Sequence, residues 1–368
     1  MRICRIKRCV VVFGFAAFAA FMVSQMDADL FISSQSSGTN GSVLRYRGTN
    51  GSFVGVFASG GGLVDPLGLT FGPGGDLYVC SGGSDQVLRY DGRTGAFVSV
   101  FASGGGLVAP INLTFGPDGN LYVSSSYSKV MRYNGQTEAF IDIFISDDRL
   151  AFPRGLRFGP DGNLYVVSYN NAAVLRYIGT TGGFIDTFVA SGSGGLGTPF
   201  SLVFGPDGNL YVPGGSFPRT GVFRYNGSTG AFISKFAVTG DSSPLDLAFG
   251  PDGNLYVLTG GNVRGVSRFN GRTGAFIDNF VPSGSGGLVN PYGFAFSPPR
   301  LEIRCAQVEL CWESESNKVH QVQYRSSLTT NQWVNFGSPI EGDGTRKCLT
   351  DAVPEGQPQR FYNIVTRP

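Results

Sequence analysis

Phe115-Gly-Pro-Asp-Gly-Asn-Leu-Tyr-Val123 recurs almost letter for letter from Phe158, Phe204 and Phe249, and with small changes from Phe71. Gly-Pro-Asp-Gly is a turn with a mechanism. Pro presets φ for the second position of a type I turn, Asp suits the third, and Gly accepts the left-handed conformation that follows. The flanks are strand-like: Leu113-Thr-Phe115 before the turn, Leu121-Tyr-Val123 after it. Each copy therefore predicts a β-hairpin with a short Gly-bearing loop.

Two further strands follow in each copy. The third reads Val87-Leu-Arg-Tyr90, Val130-Met-Arg-Tyr133, Val174-Leu-Arg-Tyr177, Val222-Phe-Arg-Tyr225 and Val266-Ser-Arg-Phe269. A Gly-rich turn such as Asp91-Gly-Arg-Thr-Gly95 leads to a fourth, for example Ala96-Phe-Val-Ser-Val-Phe101. A Gly/Ser-rich loop then runs to a Pro (Pro110, Pro153, Pro199, Pro244 or Pro291) that opens the next copy. From Phe71 the successive spacings are 44, 43, 46, 45 and 47 residues, the last ending at Phe296. Four strands at such a period are the signature of a β-propeller blade.

The ends decide between a closed ring and an open stack. The last copy stops after its first strand, Tyr292-Gly-Phe-Ala-Phe296. The early chain supplies what is missing: Leu30-Phe-Ile-Ser33, Val43-Leu-Arg-Tyr46 and Ser52-Phe-Val-Gly-Val-Phe57. An open array would leave both fragments with unpaired edges. The expectation is an all-β chain: a six-bladed propeller over 27–298, one blade closed by both chain ends, followed by a small β-sandwich over 299–368. Charged residues are only 15% and Gly 56 of 368, which suits strands buried between blades and many tight turns. Net charge is +2, so no field for nucleic acid is implied.

Residues 1–26 read as a signal peptide or N-terminal anchor. Arg2, Arg5, Lys7 and Arg8 precede an apolar run from Cys9 to Val23, short for a spanning helix of roughly 20 residues. Either outcome implies a secreted or cell-envelope location, with membrane contact only through an uncleaved segment. After Pro298-Pro299 the composition changes. The last segment holds six of the seven Glu, the only His, both Trp and three of the six Cys. Short alternating stretches there (Leu301–Arg304, Val308–Trp312, Val319–Tyr324, Gln332–Phe336, Arg346–Leu349, Arg360–Val365) predict the sandwich. A disulfide among Cys305, Cys311 and Cys348 would help so small a core; three pairings are open.

The repeat Pro-x-Gly-Leu-x-Phe-Gly-Pro-Asp-Gly-Asn-Leu-Tyr-Val, followed by Val-Leu-Arg-Tyr, resembles the NHL-repeat family of six-bladed propellers. The resemblance covers about three quarters of the chain. Val308-Glu-Leu-Cys-Trp312 and Arg360-Phe-Tyr-Asn-Ile364 look like the fibronectin-type modules that end many secreted bacterial proteins. Related propellers include scaffolds, gluconolactonase-type hydrolases and streptogramin lyases. The hydrolase resemblance implies a divalent metal held by Glu, Asn and Asp, and the lyase resemblance implies histidine.

Neither set is present in the ring. Between 27 and 298 there is no His, one Cys (Cys80) and one Glu (Glu138). Glu138 falls in an outer turn, so no metal residue is assigned. The absence of His also removes Ser–His–Asp and Cys–His systems from the ring. What converges on the axis is the pair following each Pro: Leu67-Gly68, Ile111-Asn112, Arg154-Gly155, Phe200-Ser201, Leu245-Asp246 and Tyr292-Gly293. Asp246, Asn112, Arg154, Ser201 and Tyr292 are thus the candidate ligand-binding set in a central channel, with no cofactor beyond a weakly bound Ca²⁺. The alternative is a hydrated channel in which Asp246 and Arg154 neutralise each other. The once-per-blade arginines (Arg45, Arg89, Arg132, Arg176, Arg224, Arg268) and the turn aspartates (Asp118, Asp161, Asp207, Asp252) read as structural. His320 reads as surface or packing, and Cys80 as a buried small hydrophobe.

The functional expectation is an exported, non-catalytic binding or scaffold protein that offers a propeller face to a protein or carbohydrate partner. Tyr127, Tyr169 and Phe217 are loop contacts on such a face. The alternative is a metal-dependent lactone hydrolase or lyase.

Overall fold

The computed structural model describes residues 3–6, 9–12, 18–23, 28–35, 41–216, 220–240, 242–298, 303–325, 332–352 and 361–367. The chain divides into two compact units, Asp27–Pro299 and Met1–Met26 with Arg300–Pro368.

The first unit is a β-propeller. Its described residues form six four-stranded antiparallel sheets. Blade 1 runs Pro66–Phe71, Leu77–Ser81, Gln86–Tyr90 and Phe97–Ala102, from the axis outward. Blades 2, 3, 4 and 5 repeat this order, beginning at Pro110–Phe115, Pro153–Phe158, Val203–Phe204 and Ser243–Phe249. Blade 6 pairs Pro291–Phe296 with Leu30–Ser34, and Ser42–Tyr46 and Phe53–Ser59 complete it. The two ends of the unit thus share one sheet, and first strands of neighbouring blades pack on one another from blade 5 through blades 6, 1 and 2 to blade 3.

The recurring nonapeptide is explained residue by residue. In blade 2 the Asp118 carboxylate accepts from Asn120 N (3.1 Å), Asn120 Nδ2 (2.7 Å) and Tyr122 Oη (3.0 Å). Gly119 takes φ +78°. The same bonds recur at Asp161, Asp207 and Asp252. The Tyr ring is wedged edge-on between an outer-strand Phe of its own blade and the motif Phe of the next. Tyr122 lies 4.9 Å from Phe144 and 4.9 Å from Phe158. Such buried aromatic pairs contribute about 0.5–1.5 kcal/mol beyond area burial. The core is therefore a series of layers between blades rather than a single centre.

The once-per-blade arginines are structural, as expected. Arg132 pairs with Asp142 across its sheet while its guanidinium lies 4.9 Å from the Phe144 ring. Arg176 and Arg268 repeat that arrangement on Asp186 and Asp278. Arg45 and Arg89 use Asp29 and Asp76 instead. A second device fixes the loop entering four of the six blades. Buried Ser125 donates to Val108 O (2.8 Å) and accepts from Val108 N (3.1 Å). Ser34, Ser81 and Ser168 do the same for Val289, Val64 and Ala151.

Blade 4 departs from the pattern. Its first strand is only Val203–Phe204, against six or seven residues elsewhere. Pro213 on the second strand occupies the place of Ser124 in blade 2. It has no N–H to give to the ladder, so pairing stops short.

Gly95 closes the outer turn of blade 1 at φ +74°, and a Cβ there would lie 1.7 Å from the Phe57 carbonyl oxygen of blade 6. Gly95→Ala combines left-handed strain with that overlap. It is expected to cost at least about 2 kcal/mol, read as a shift in urea midpoint at unchanged slope. In blade 2 the same place is filled by Glu138, at φ 65°. Its carboxylate accepts from Arg89 (3.2 Å) and Ser99 (3.1 Å) of blade 1, far from the axis.

Among its described residues the second unit holds three small sheets. One pairs Ile3–Ile6 with Cys9–Val12; a second orders Phe18–Val23, Ile303–Glu313 and Arg346–Ala352; the third sets Val319–Arg325 against Val334–Asn335, Ile340–Glu341 and Phe361–Arg367. Of the stretches 301–304 and 308–312, read from sequence as two strands, the described residues 303–304 and 308–312 lie on one strand, and 301–302 lie outside the described residues. The intervening Cys305-Ala-Gln307 contains no turn former, and the chain absorbs it as a register shift. Part of the apolar run read as a targeting segment, Phe18–Val23, is a strand paired with Ile303–Glu313. Cys348 is disulfide-bonded, and its backbone stands opposite Cys311. His320 is a packing residue: its Nε2 accepts from Glu315 N (3.1 Å) and Nδ1 faces Thr366 Oγ1 (3.2 Å).

Candidate functional site

The positions two after each Pro form the inner rim of the ring: Gly68, Asn112, Gly155, Ser201, Asp246 and Gly293. Here strands of adjacent blades nearly touch. Gly155 N donates to Phe200 O at 3.0 Å, and a Cβ on Gly155 would sit 2.5 Å from Ser201 Cα. Small residues are required where the blades close in. Asn112 and Asp246, both buried, turn their side chains back onto main chain. Asn112 Oδ1 accepts from Leu113 N (2.8 Å). Asp246 Oδ1 accepts from Leu247 N (2.9 Å), and its Oδ2 from Phe294 N of blade 6 (3.1 Å). The carboxylate thus joins blade 5 to the closing blade.

The charge partner of Asp246 differs from the one expected. Arg157, three residues beyond Arg154 in blade 3, interacts with it through space. Arg157 donates to Leu156 O (2.9 Å) and Leu113 O (3.4 Å). It keeps some surface toward the channel but is hemmed in by protein, and burial pulls its pKa down against the attraction of Asp246. Burial pushes the Asp246 pKa up. Arg157, the nearby Ser201 hydroxyl and the two N–H groups oppose that rise. The Ser201 hydroxyl is close enough to steady the carboxylate but makes no hydrogen bond of acceptable geometry. The sequence does carry a signal for Arg157. Its position holds Thr70, Thr114, Val203, Ala248 and Ala295 in the other copies, so it is the one charge in the series.

The raised value has a definite sign. The folded protein holds the Asp246 proton to higher pH than the unfolded chain does. Stability from this group is greatest at low pH and falls as pH climbs from about 4 through the raised value. Asp147, Asp161 and Asp207 are shifted down and act in the opposite sense, but they are common to any Asp246 variant. The stability difference, wild type minus Asp246→Asn, is therefore expected to decline over that interval and then level off. A difference that rises with pH would mean that ion pairing, not burial, sets this carboxyl.

Arg154 lies one residue nearer the mouth. Its Nη1 donates to Tyr292 Oη in blade 6, across the ring. Its guanidinium is 4.2 Å from the Tyr169 ring, 4.4 Å from Phe200, 5.1 Å from Phe152 and 5.6 Å from Tyr292. Burial pushes the Tyr292 phenol up to about 12, with Arg154 pulling the other way. Arg154 is thus caged among aromatics, and its buried Nε has no hydrogen-bond partner. The five expected site residues separate into two groups: Asp246 and Ser201 on the inner rim with Arg157, and Arg154 with Tyr292 at the mouth. Asn112 is on the rim but bonded to its own strand.

The meander puts the loops entering each blade and those between second and third strands on one face. Tyr127, 74% exposed, and Phe152, 37% exposed, therefore share the face that carries the Arg154 cage. Tyr169 belongs to the cage itself; Phe217 lies outside the described residues. Beside Tyr292 this face has a recess of about 340 Å³ between blades 5 and 6, lined by Phe200, Leu245, Arg264 and Pro291 among others. Among the described residues no three of His, Cys, Asp and Glu are grouped as metal ligands.

No protein-family model matches the sequence, and no curated protein is significantly similar to it. Solved structures agree on the fold. A protein of unknown function from Bacteroides caccae is 13% identical, over 73% of this chain and 99% of its own, with TM-score 0.55. The nidogen/laminin complex gives 16% identity, 74% and 98% coverage and TM-score 0.56. A gluconolactonase from Xanthomonas campestris gives 17% identity, 70% and 91% coverage and TM-score 0.49. For the first two, at these identities, the likeness is one of fold, a β-propeller, and extends no further.

Proposed function

We propose that the chain is an exported, non-catalytic binding protein of NHL-repeat-like type that meets a protein or carbohydrate partner with the face bearing Tyr127, Phe152 and the Arg154 cage. One observation carries the reading: the carboxylate and the amide on the axis and the Arg154 guanidinium at its mouth are already engaged. Asp246 accepts two main-chain N–H bonds, Asn112 accepts one, and Arg154 donates to Tyr292. A general acid or base needs a proton-transfer partner within hydrogen-bond reach of substrate. Here the one axial carboxylate holds two blades together instead. A rigid ring with exposed aromatics on one face suits recognition.

A hydrolase is the second reading, and one feature favours it: a buried carboxyl with a raised pKa beside a channel is a common mark of acid–base sites. The experiment separating them is a lactone screen on the full chain, metal-stripped and with millimolar Ca²⁺. The binding reading expects no turnover above buffer and coincident melts. Hydrolysis that falls in Asp246→Asn would overturn it. Loss of a captured partner in Tyr127→Ser/Phe152→Ser, at unchanged melting temperature, would support it.

A further inference from the structure

We infer that the recess between blades 5 and 6 binds a small monocarboxylate carried on an apolar or planar body, with Arg264 receiving the carboxylate. The inference rests on the binding reading above and gives it a ligand class. The floor and inner wall are apolar: Phe200, Leu245, Pro291 and Tyr292. Gly261 leaves open space, since a Cβ there would meet nothing within 4 Å. A volume of about 340 Å³ admits a body the size of a phenyl ring with a short acid arm and its remaining water.

Arg264 supplies the polar end. Its Nε donates to Gly261 O at 3.2 Å, which fixes the plane of the guanidinium on the loop. Among the described residues no carboxylate forms an ion pair with it, and no acidic side chain lines the recess. Asp246, next in the chain to the lining residue Leu245, turns its oxygens to Leu247 N and Phe294 N. The Arg154 guanidinium lies behind Phe200 and Tyr292, and adds positive potential from within. A fixed guanidinium fork is matched to carboxylate geometry. One such fork at the wall of a mainly apolar recess suits a single negative charge; a phosphate dianion would lose more hydration than one fork restores. Ser243, Asn290 and Gln35 at the rim can take up the remaining polar groups.

The test is calorimetric titration of the full chain with 3-phenylpropionate and with its amide, which has the same body without the charge. The acid is expected to bind, the amide about tenfold more weakly or worse. Arg264→Gln is expected to lose the acid by a similar factor at unchanged melting temperature, and Arg264→Lys to recover part of it. Acetyl-Gly-Gly-Phe with a free or an amidated C-terminus distinguishes the source. Binding of the free form alone means that a chain end is accepted; rejection of both means that the site is for free acids. Equal binding of acid and amide, no binding of the acid, or undiminished binding by Arg264→Gln would each overturn the proposal. None of these touches the binding reading, which is judged by the lactone screen and the face variant.

Discussion

Asp246→Ala is expected to destabilise the propeller by about 3–5 kcal/mol, the largest effect of any single substitution on the axis. The change orphans two buried N–H groups, of Leu247 and Phe294, each costing about 1–3 kcal/mol. It also removes the counter-charge of Arg157, which is hemmed in by protein. Asp246→Asn should cost less, because Asn112 shows that an amide at this position can accept from the next N–H. Pairing Asp246→Ala with Arg157→Met should restore part of the loss. Denaturant melts of the four proteins check this. An Asp246→Ala variant within about 1 kcal/mol of wild type would mean that water replaces the carboxylate.

A still larger effect is expected from cutting the chain before Pro291. Residues 27–299 contain every strand of the ring, whereas 27–290 lack Pro291–Phe296. That strand pairs with Leu30–Ser34 and packs Phe294 against Ile32, Leu258 and Leu288. Without it, blade 6 has three strands and blade 5 loses the layer between them. Removing one buried Phe alone costs about 3–5 kcal/mol, so the whole strand exceeds the stability of an ordinary domain. The 27–299 protein should melt cooperatively and the 27–290 protein should not, as read by near-UV circular dichroism. A cooperative melt of the shorter chain would show that the ring stands without its closure.

The fold was legible because repetition removes ambiguity. A single Gly-Pro-Asp-Gly is only a turn, but four copies and one close variant at a blade-length period fix strand count, order and closure. The local chemistry was legible for the same reason. Arg132 recurs once per blade and Asp118 in four of the six, and they do what each blade needs. The candidate site was legible only in part, because it consists of what does not repeat. Position after Pro identified Arg154 and Asp246, but linear position does not say which way a long side chain reaches. Arg154 goes to Tyr292 and an aromatic cage; Arg157 takes the place beside Asp246. The recess was invisible because its walls come from five separate segments between Gln35 and Tyr292. At the N-terminus, an apolar run of strand-forming residues reads alike whether it is exported as a leader or paired in a sheet.

A closed ring has no free end, so its unfolding must choose a place to begin. Pro213 supplies one. The first strand of blade 4 is held to the second only through Val203–Tyr211 and Phe204–Leu210, and the Ser201 hydroxyl has no partner. Sub-global opening starts where the fewest ladder bonds must be broken. Amides from Phe200 to Phe204 should therefore exchange with solvent sooner than their counterparts in blades 2 and 5. The seam between blades 3 and 4 is then the hinge line of the ring, almost opposite the blade where its two ends are joined.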